Sequence, residues 1–174
     1  MTEQEASKLL MPESDRTIVV SVTTKPFVAR DHFIVSIGKK ASVIVSHVGG
    51  NFRRWFLNKI EEPFATNVLR GYKLCKPSKD GPIIAELGGE KKAEITLTEI
   101  FACMELQADG KRKPLLTNGY ANVFYVRDSD NLLRAVCILW NNGGWSVDAW
   151  AIDASSRWTG GSLVFSRISE LSIA

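Results

Sequence analysis

The chain has 174 residues, 45% of them hydrophobic and 24% charged, with a formal net charge of +3. That balance suits one globular domain large enough to bury a core, and it excludes a chain that stays disordered. No apolar run reaches the roughly 18 to 20 residues of a bilayer span, and the acidic start "MTEQEASKLLMPESDR" lacks the basic and apolar regions of a secretory leader.

Residues 1–15 are polar and read as a flexible N-terminal tail ahead of a single α+β domain over 16–174. In "TIVVSVTT", Ile18, Val20 and Val22 alternate with polar neighbours, which predicts a half-buried strand. Pro26 ends it. "FVARDHFIVSI" predicts a second strand around Phe33, Val35 and Ile37, and "ASVIVSHV" a third that closes at Gly49 and Gly50. In "NFRRWFLNKIEE", Phe52, Trp55, Phe56 and Ile60 form one apolar stripe, so a helix is expected from an Asn51 N-cap to a stop at Pro63. "NVLRGYKLCK" and "GPIIAELG" read as strands joined by a turn. Thr96 and Glu99 spell a capping box for a second helix that buries Leu97, Ile100, Phe101 and Met104.

From residue 113 the pattern is a meander. "KPLLT" and "YANVFYVRD" flank Asn118-Gly119, a two-residue hairpin signal. "DSDN" leads into "LLRAVCILW", "NNGG" leads into "WSVDAWAID", and "LVFSRIS" supplies a last strand. Residues 133–140 are apolar on both faces except for Arg134, as expected of a central strand covered on each side. The fold class is therefore α+β: a largely antiparallel, curved sheet of about six to eight strands carrying two helices.

"FVARDHFIV", "NFRRWFLNKIEEP", "DGPIIAELGGE", "LLTNGYANVFYVRD" and "RWTGGSLVFSR" together give residues 26–168 a likeness. In these stretches the chain resembles a family of small uncharacterised bacterial proteins. The resemblance implies a bacterial, cytoplasmic setting and carries no activity or site to transfer.

Signatures of known chemistry are few. Cys75, Cys103 and Cys137 are odd in number and lack metal-ligand spacing, so they read as reduced thiols, and no cofactor is implied. Phosphate-loop, dinucleotide and hydrolase motifs are missing, which favours a non-catalytic reading. His32 and His47 are the two histidines. On extended strands His32 would face away from Asp31, and His47 would share the inward parity of Val43 and Val45. In "RDSDN" an Asx turn is expected over a calcium loop, because the later ligands are missing.

Three features point to binding. Gly49, Gly50 and Asn51 precede Arg53 and Arg54, so free helix amides and two guanidinium groups are expected to form an anion site; the competing account is a plain strand-to-helix turn with solvated arginines. Residues 30–79 carry ten Lys or Arg against three acids, a net of +7, while residues 80–110 carry a net of −5. Lys39, Lys40, Lys59, Arg70, Lys73, Lys76 and Lys79, with Lys111, Arg112 and Lys113, are candidates for a surface that meets an acidic partner, nucleic acid being the simplest. If the two segments are neighbours they neutralise each other instead.

Finally, three of the five tryptophans fall within "WNNGGWSVDAW". Strand parity separates Trp145 from Trp150, so they cannot share one platform. Trp140 and Trp150 read as core. Trp145 and Trp158, placed at turns, read as accessible contacts for a protein-assembly surface or for a sugar or small ligand held beside Asn141 and Asn142.

Overall fold

A computed structural model describes residues 8–21, 23–38, 40–107, 114–152, 154 and 156–168. Its elements in chain order are strands β1 (Leu10–Val20) and β2 (Phe27–Val28), helix α1 (Ala29–His32), β3 (Val45–Val48), α2 (Gly50–Phe56), β4 (Ile60–Glu61) and β5 (Asn67–Leu74). Then follow α3 (Asp80–Glu86), α4 (Glu90–Ala93), β6 (Glu94–Ile95), α5 (Leu97–Leu106), β7 (Asn122–Arg127), β8 (Leu133–Asn141), β9 (Gly144–Ala151) and β10 (Leu163–Ile168). The large sheet has the order β1-β5-β10-β7-β8-β9-β3, with β6 paired to β7; β2 and β4 form a separate two-stranded ribbon. Antiparallel pairing dominates, but β10 with β7, β3 with β9 and β6 with β7 run parallel. The sheet is therefore mixed, and it is open, with β1 and β3 as its edges.

Cores lie on both faces of the sheet. The larger one packs Phe52 and Phe56 of α2 and Leu97, Ile100 and Met104 of α5 against Phe124, Val136, Ile138, Trp145 and Phe165. The smaller one packs Ile83 and Ile84 of α3 and Ala93 of α4 against Leu74, Val123, Tyr125, Ala135 and Val164. Strand β8 contributes Val136 and Ile138 to one and Leu133 and Ala135 to the other, as its two-sided apolar pattern requires. Its one charged residue is neutralised: Arg134 Nε donates to Asp128 at 2.8 Å while its guanidinium lies 3.9 Å from the centre of the Trp55 ring.

Several expected elements are present. Thr96 caps α5 in a reciprocal box with Glu99, and Leu97, Ile100, Phe101 and Met104 are buried. Asp128 Oδ1 accepts from the amides of Asp130 and Leu132, making the Asx turn between β7 and β8. Asn142 and Gly143 take φ of 53° and 73°, the left-handed pair that a two-residue β8–β9 hairpin needs.

Other elements differ from the expectation, each for a tertiary reason. Strand β1 starts at Leu10, inside the stretch read as tail, because Leu10 packs into the smaller core and the Glu86 carboxylate accepts from the amides of Leu9 and Leu10. "FVARDHFIVSI" is not one strand. After Phe27 and Val28 the chain makes a helical turn that buries Ala29 and Phe33 together, and Val35 keeps only an isolated bridge to Val45. The helix expected from Asn51 to Pro63 runs only from Gly50 to Phe56, and its N-cap is Gly49. Beyond it Glu61 turns inward, where its carboxylate accepts from the amides of Leu97 (3.0 Å) and Thr98 (2.8 Å), and Ile60 is left exposed. "GPIIAELG" lies in helix α3 rather than a strand, since Gly81 and Pro82 fall in a first turn that needs no intrahelical amide donor. No hairpin forms around Asn118-Gly119. The Asn122 side chain instead ties down Leu116 through its amide (2.8 Å) and its carbonyl (3.1 Å), and 114–121 holds no strand. Among the described residues five helical segments stand where two were expected. None of them is long and apolar enough to cross a membrane.

Candidate functional site

The expected anion site at "GGNFRR" is built differently from its sequence reading. Asn51 lies inside the helix, its Nδ2 donating to the Ala149 carbonyl (3.0 Å) and its Oδ1 accepting from Arg54 (3.4 Å). Arg53 turns back to donate to the Val48 carbonyl (3.0 Å), and its amide is already bound to the Gly49 carbonyl (3.0 Å). Asp148 of β9 stands against Gly49 so closely that a Cβ there would lie 2.2 Å from its Oδ1. The hollow lined by Gly50, Asn51 and Arg54 is thus bordered by the chain's own carboxylate, which opposes a second negative charge.

The described basic residues do not form one cluster. Lys40 precedes β3 at one edge of the sheet, while Lys73 on β5 lies five strand steps away, roughly 24 Å at the usual spacing. Lys59 pairs with Glu61 at 3.3 Å and also donates to the Arg127 carbonyl. Arg70 is half-buried with Nε 3.4 Å from the Thr17 hydroxyl. Lys39, Lys111, Arg112 and Lys113 lie outside the described residues. Lys76 and Lys79, both exposed, flank Ser78, which pairs with Trp158.

Trp145 and Trp150 are exchanged relative to expectation. Trp145 is 1% exposed, in the larger core, with Trp140 packed edge-on at 4.9 Å. It is not an accessible contact, so the hairpin turn at Asn141 and Asn142 offers no indole face of Trp145. Trp150, read as core, is 44% exposed. The reason is coverage: α3 and α4 pack over the β5–β10–β7 side of that face, leaving the β8–β9 side open. The histidines differ as well. A bulge between Val45 and His47 reverses parity and leaves His47 exposed, while His32 sits on a helical turn with its ring stacked 4.1 Å from Phe27.

What the open face holds is a double hollow around Trp158. One part, about 180 Å³, lies between Trp150, Arg157 and Trp158, with Asp80 in its wall. The other, about 440 Å³, extends past Tyr120 over Cys137 and Leu139, again with Arg157 and Trp158 in its lining. Trp158 and Arg157 therefore form the ridge between the two. Residue 158 is held by reciprocal backbone bonds with Ser78: the Trp158 amide donates to Ser78 (2.8 Å) and the Ser78 amide to Trp158 (3.2 Å). That bridge places Lys76 and Lys79 beside the ridge, two residues before and one after its partner.

The indole itself is fixed from below. Asp80, buried at the start of α3, accepts from Trp158 Nε1 (2.6 Å) and from the Tyr125 hydroxyl (2.8 Å) on the same Oδ1. Burial and the adjacent Asp80 charge push the Tyr125 hydroxyl well above its ordinary pKa, so it remains a donor. The Cys137 thiol is pushed up to about 12 by burial and by Asp148, which keeps it protonated and unreactive as a nucleophile. Among the described residues no group of three His, Cys, Asp or Glu is placed to hold a metal ion. Comparison with protein-family profiles, with curated proteins and with solved structures returned no match.

Trp158 was legible as a candidate contact, and so were Lys76 and Lys79. Trp150, Tyr120, Arg157 and Asp80 were not singled out as its neighbours. The available signal was the "RW" pair at 157–158 beside a basic segment, but its pairing with Ser78 spans about eighty residues of sequence.

Proposed function

We propose that this protein is a non-catalytic binding domain whose Trp158 ridge engages an acidic macromolecule, single-stranded nucleic acid. The observation that carries the reading is the coincidence of accessible aromatic rings (Trp150, Trp158, Tyr120) with exposed cations (Arg157, Lys76, Lys79) around one pair of hollows. Bases stack on such rings for about 1–3 kcal/mol each without regard to sequence, and the cations meet the phosphates. A duplex keeps its bases stacked inside and offers the ridge only phosphate, so single strands are preferred.

The test is a fluorescence-polarisation titration of labelled single- and double-stranded oligonucleotides in low and moderate salt. Three phosphate contacts predict a log–log salt slope of about −2, a loss of roughly fifteenfold between 50 and 200 mM. Trp158→Leu should weaken single-strand binding about tenfold while leaving that slope unchanged. Absence of binding near 50 mM salt refutes the reading. Equal affinity for duplex and single strand, with no effect of Trp158→Leu, refutes its stacking component and points to a merely electrostatic partner surface.

A further inference from the structure

We propose that a second site, on the opposite face of the sheet, binds a small organic ammonium ion. A cavity of about 460 Å³ opens between the end of β1, the turn of α1 and helix α5, within the usual range for small-ligand pockets. Its wall includes the rings of Phe27, His32 and Phe101, which pack on one another at centroid distances of 4.1, 5.0 and 6.0 Å. Val19 and Leu106 at its mouth are 59% and 55% exposed. The site lies over the larger core, whereas the Trp158 ridge packs on the smaller one, so it is independent of the proposed nucleic-acid contact.

The polar groups of this cavity include several acceptors. His32 Nδ1 lies 2.8 Å from the Val28 carbonyl, which can only accept, so in the neutral tautomer Nδ1 carries the proton and Nε2 the lone pair. Nε2 has no partner among the described residues. The Thr98 hydroxyl donates its proton to Glu61 at 2.5 Å, and the Thr23 hydroxyl oxygen accepts from the Phe64 amide. Glu105 lines the cavity with its carboxylate unpaired among the described residues. No Lys or Arg is among its described lining residues. A carboxylate, an imidazole acceptor and aromatic rings in a cavity otherwise lined by apolar and hydroxyl side chains suit an ammonium group attached to a hydrocarbon or aromatic body, and the carboxylate disfavours an anion.

The test uses 2-phenylethylamine and, as a near-isosteric anion, 3-phenylpropionate, titrated at pH 8 while the His32 ring signals are followed by NMR. The amine should shift those signals saturably, with half-saturation at or below about 1 mM, and the acid should not. Glu105→Gln, a surface change that leaves the fold intact, should weaken the amine about tenfold. His32→Phe keeps the ring stack and removes the acceptor, and should weaken it similarly when followed through Phe101. An unsaturated response to the amine up to about 10 mM, an equal response to the acid, or an unchanged affinity in Glu105→Gln overturns the proposal.

Discussion

Replacing Asp80 by alanine should destabilise the protein through groups that Asp80 itself serves. The carboxylate is 3% exposed, and a single oxygen accepts from both Tyr125 and Trp158. The Tyr125 side chain is wholly buried, so its hydroxyl gains no water when Asp80 is lost, and an unsatisfied buried donor costs about 1–3 kcal/mol. Trp158 is half-buried, and water recovers part of its N–H bond, which adds about 1 kcal/mol or less. The sum, about 1–4 kcal/mol, corresponds to a fall in Tm of roughly 2–16 °C for a chain of this size. Asp80→Asn retains an acceptor oxygen and should cost about half as much. Urea unfolding followed by far-ultraviolet circular dichroism is the suitable assay, because tryptophan fluorescence would report the perturbed indole itself. Combined with Trp158→Phe, the double variant should show a coupling of about 1 kcal/mol. An Asp80→Ala protein within about 0.5 kcal/mol of wild type, or strictly additive single changes, would refute the shared-acceptor account.

Gly49→Ala should cost about 1–3 kcal/mol, since the new methyl meets the Asp148 carboxylate, and Asp148→Ala in the same chain should restore most of it in the same melts. Trp145→Ala should lose about 3–5 kcal/mol and Trp150→Ala less than about 1 kcal/mol, which denaturation of both variants would separate. Burial alone would raise the Asp128 carboxyl, but the Leu132 amide, the Arg134 guanidinium and the Asp130 amide outweigh it and hold the group below its usual range. A depressed carboxyl stabilises the fold above its unfolded pKa, near 3.9 in the unfolded chain, and that contribution is lost as pH falls through the folded value. Asp128→Asn should therefore flatten stability against pH below about pH 4, as measured by urea melts at successively lower pH.

Local pattern alone determined those elements whose cause lies within a few residues. The Thr96–Glu99 box, the Asp128 turn and the Asn142-Gly143 hairpin each close within four residues, so their geometry was legible in the residue types. The two-sided apolarity of 133–140 likewise announced a central strand. Parity correctly separated Trp145 from Trp150, because side chains alternate along any strand. Parity does not say which face is covered. That was decided by α3 and α4, which shelter one side of β7 and leave Trp150 uncovered, while α2 and α5 bury Trp145. The bulge that turns His47 outward depends on register with β9, about a hundred residues away. The pairing of Ser78 with Trp158, which brings cations and rings together, likewise depends on how β5 meets β10. Charge counted along the chain could not find that meeting, because neighbours in sequence are five strands apart in the sheet and neighbours in space are about eighty residues apart in the chain.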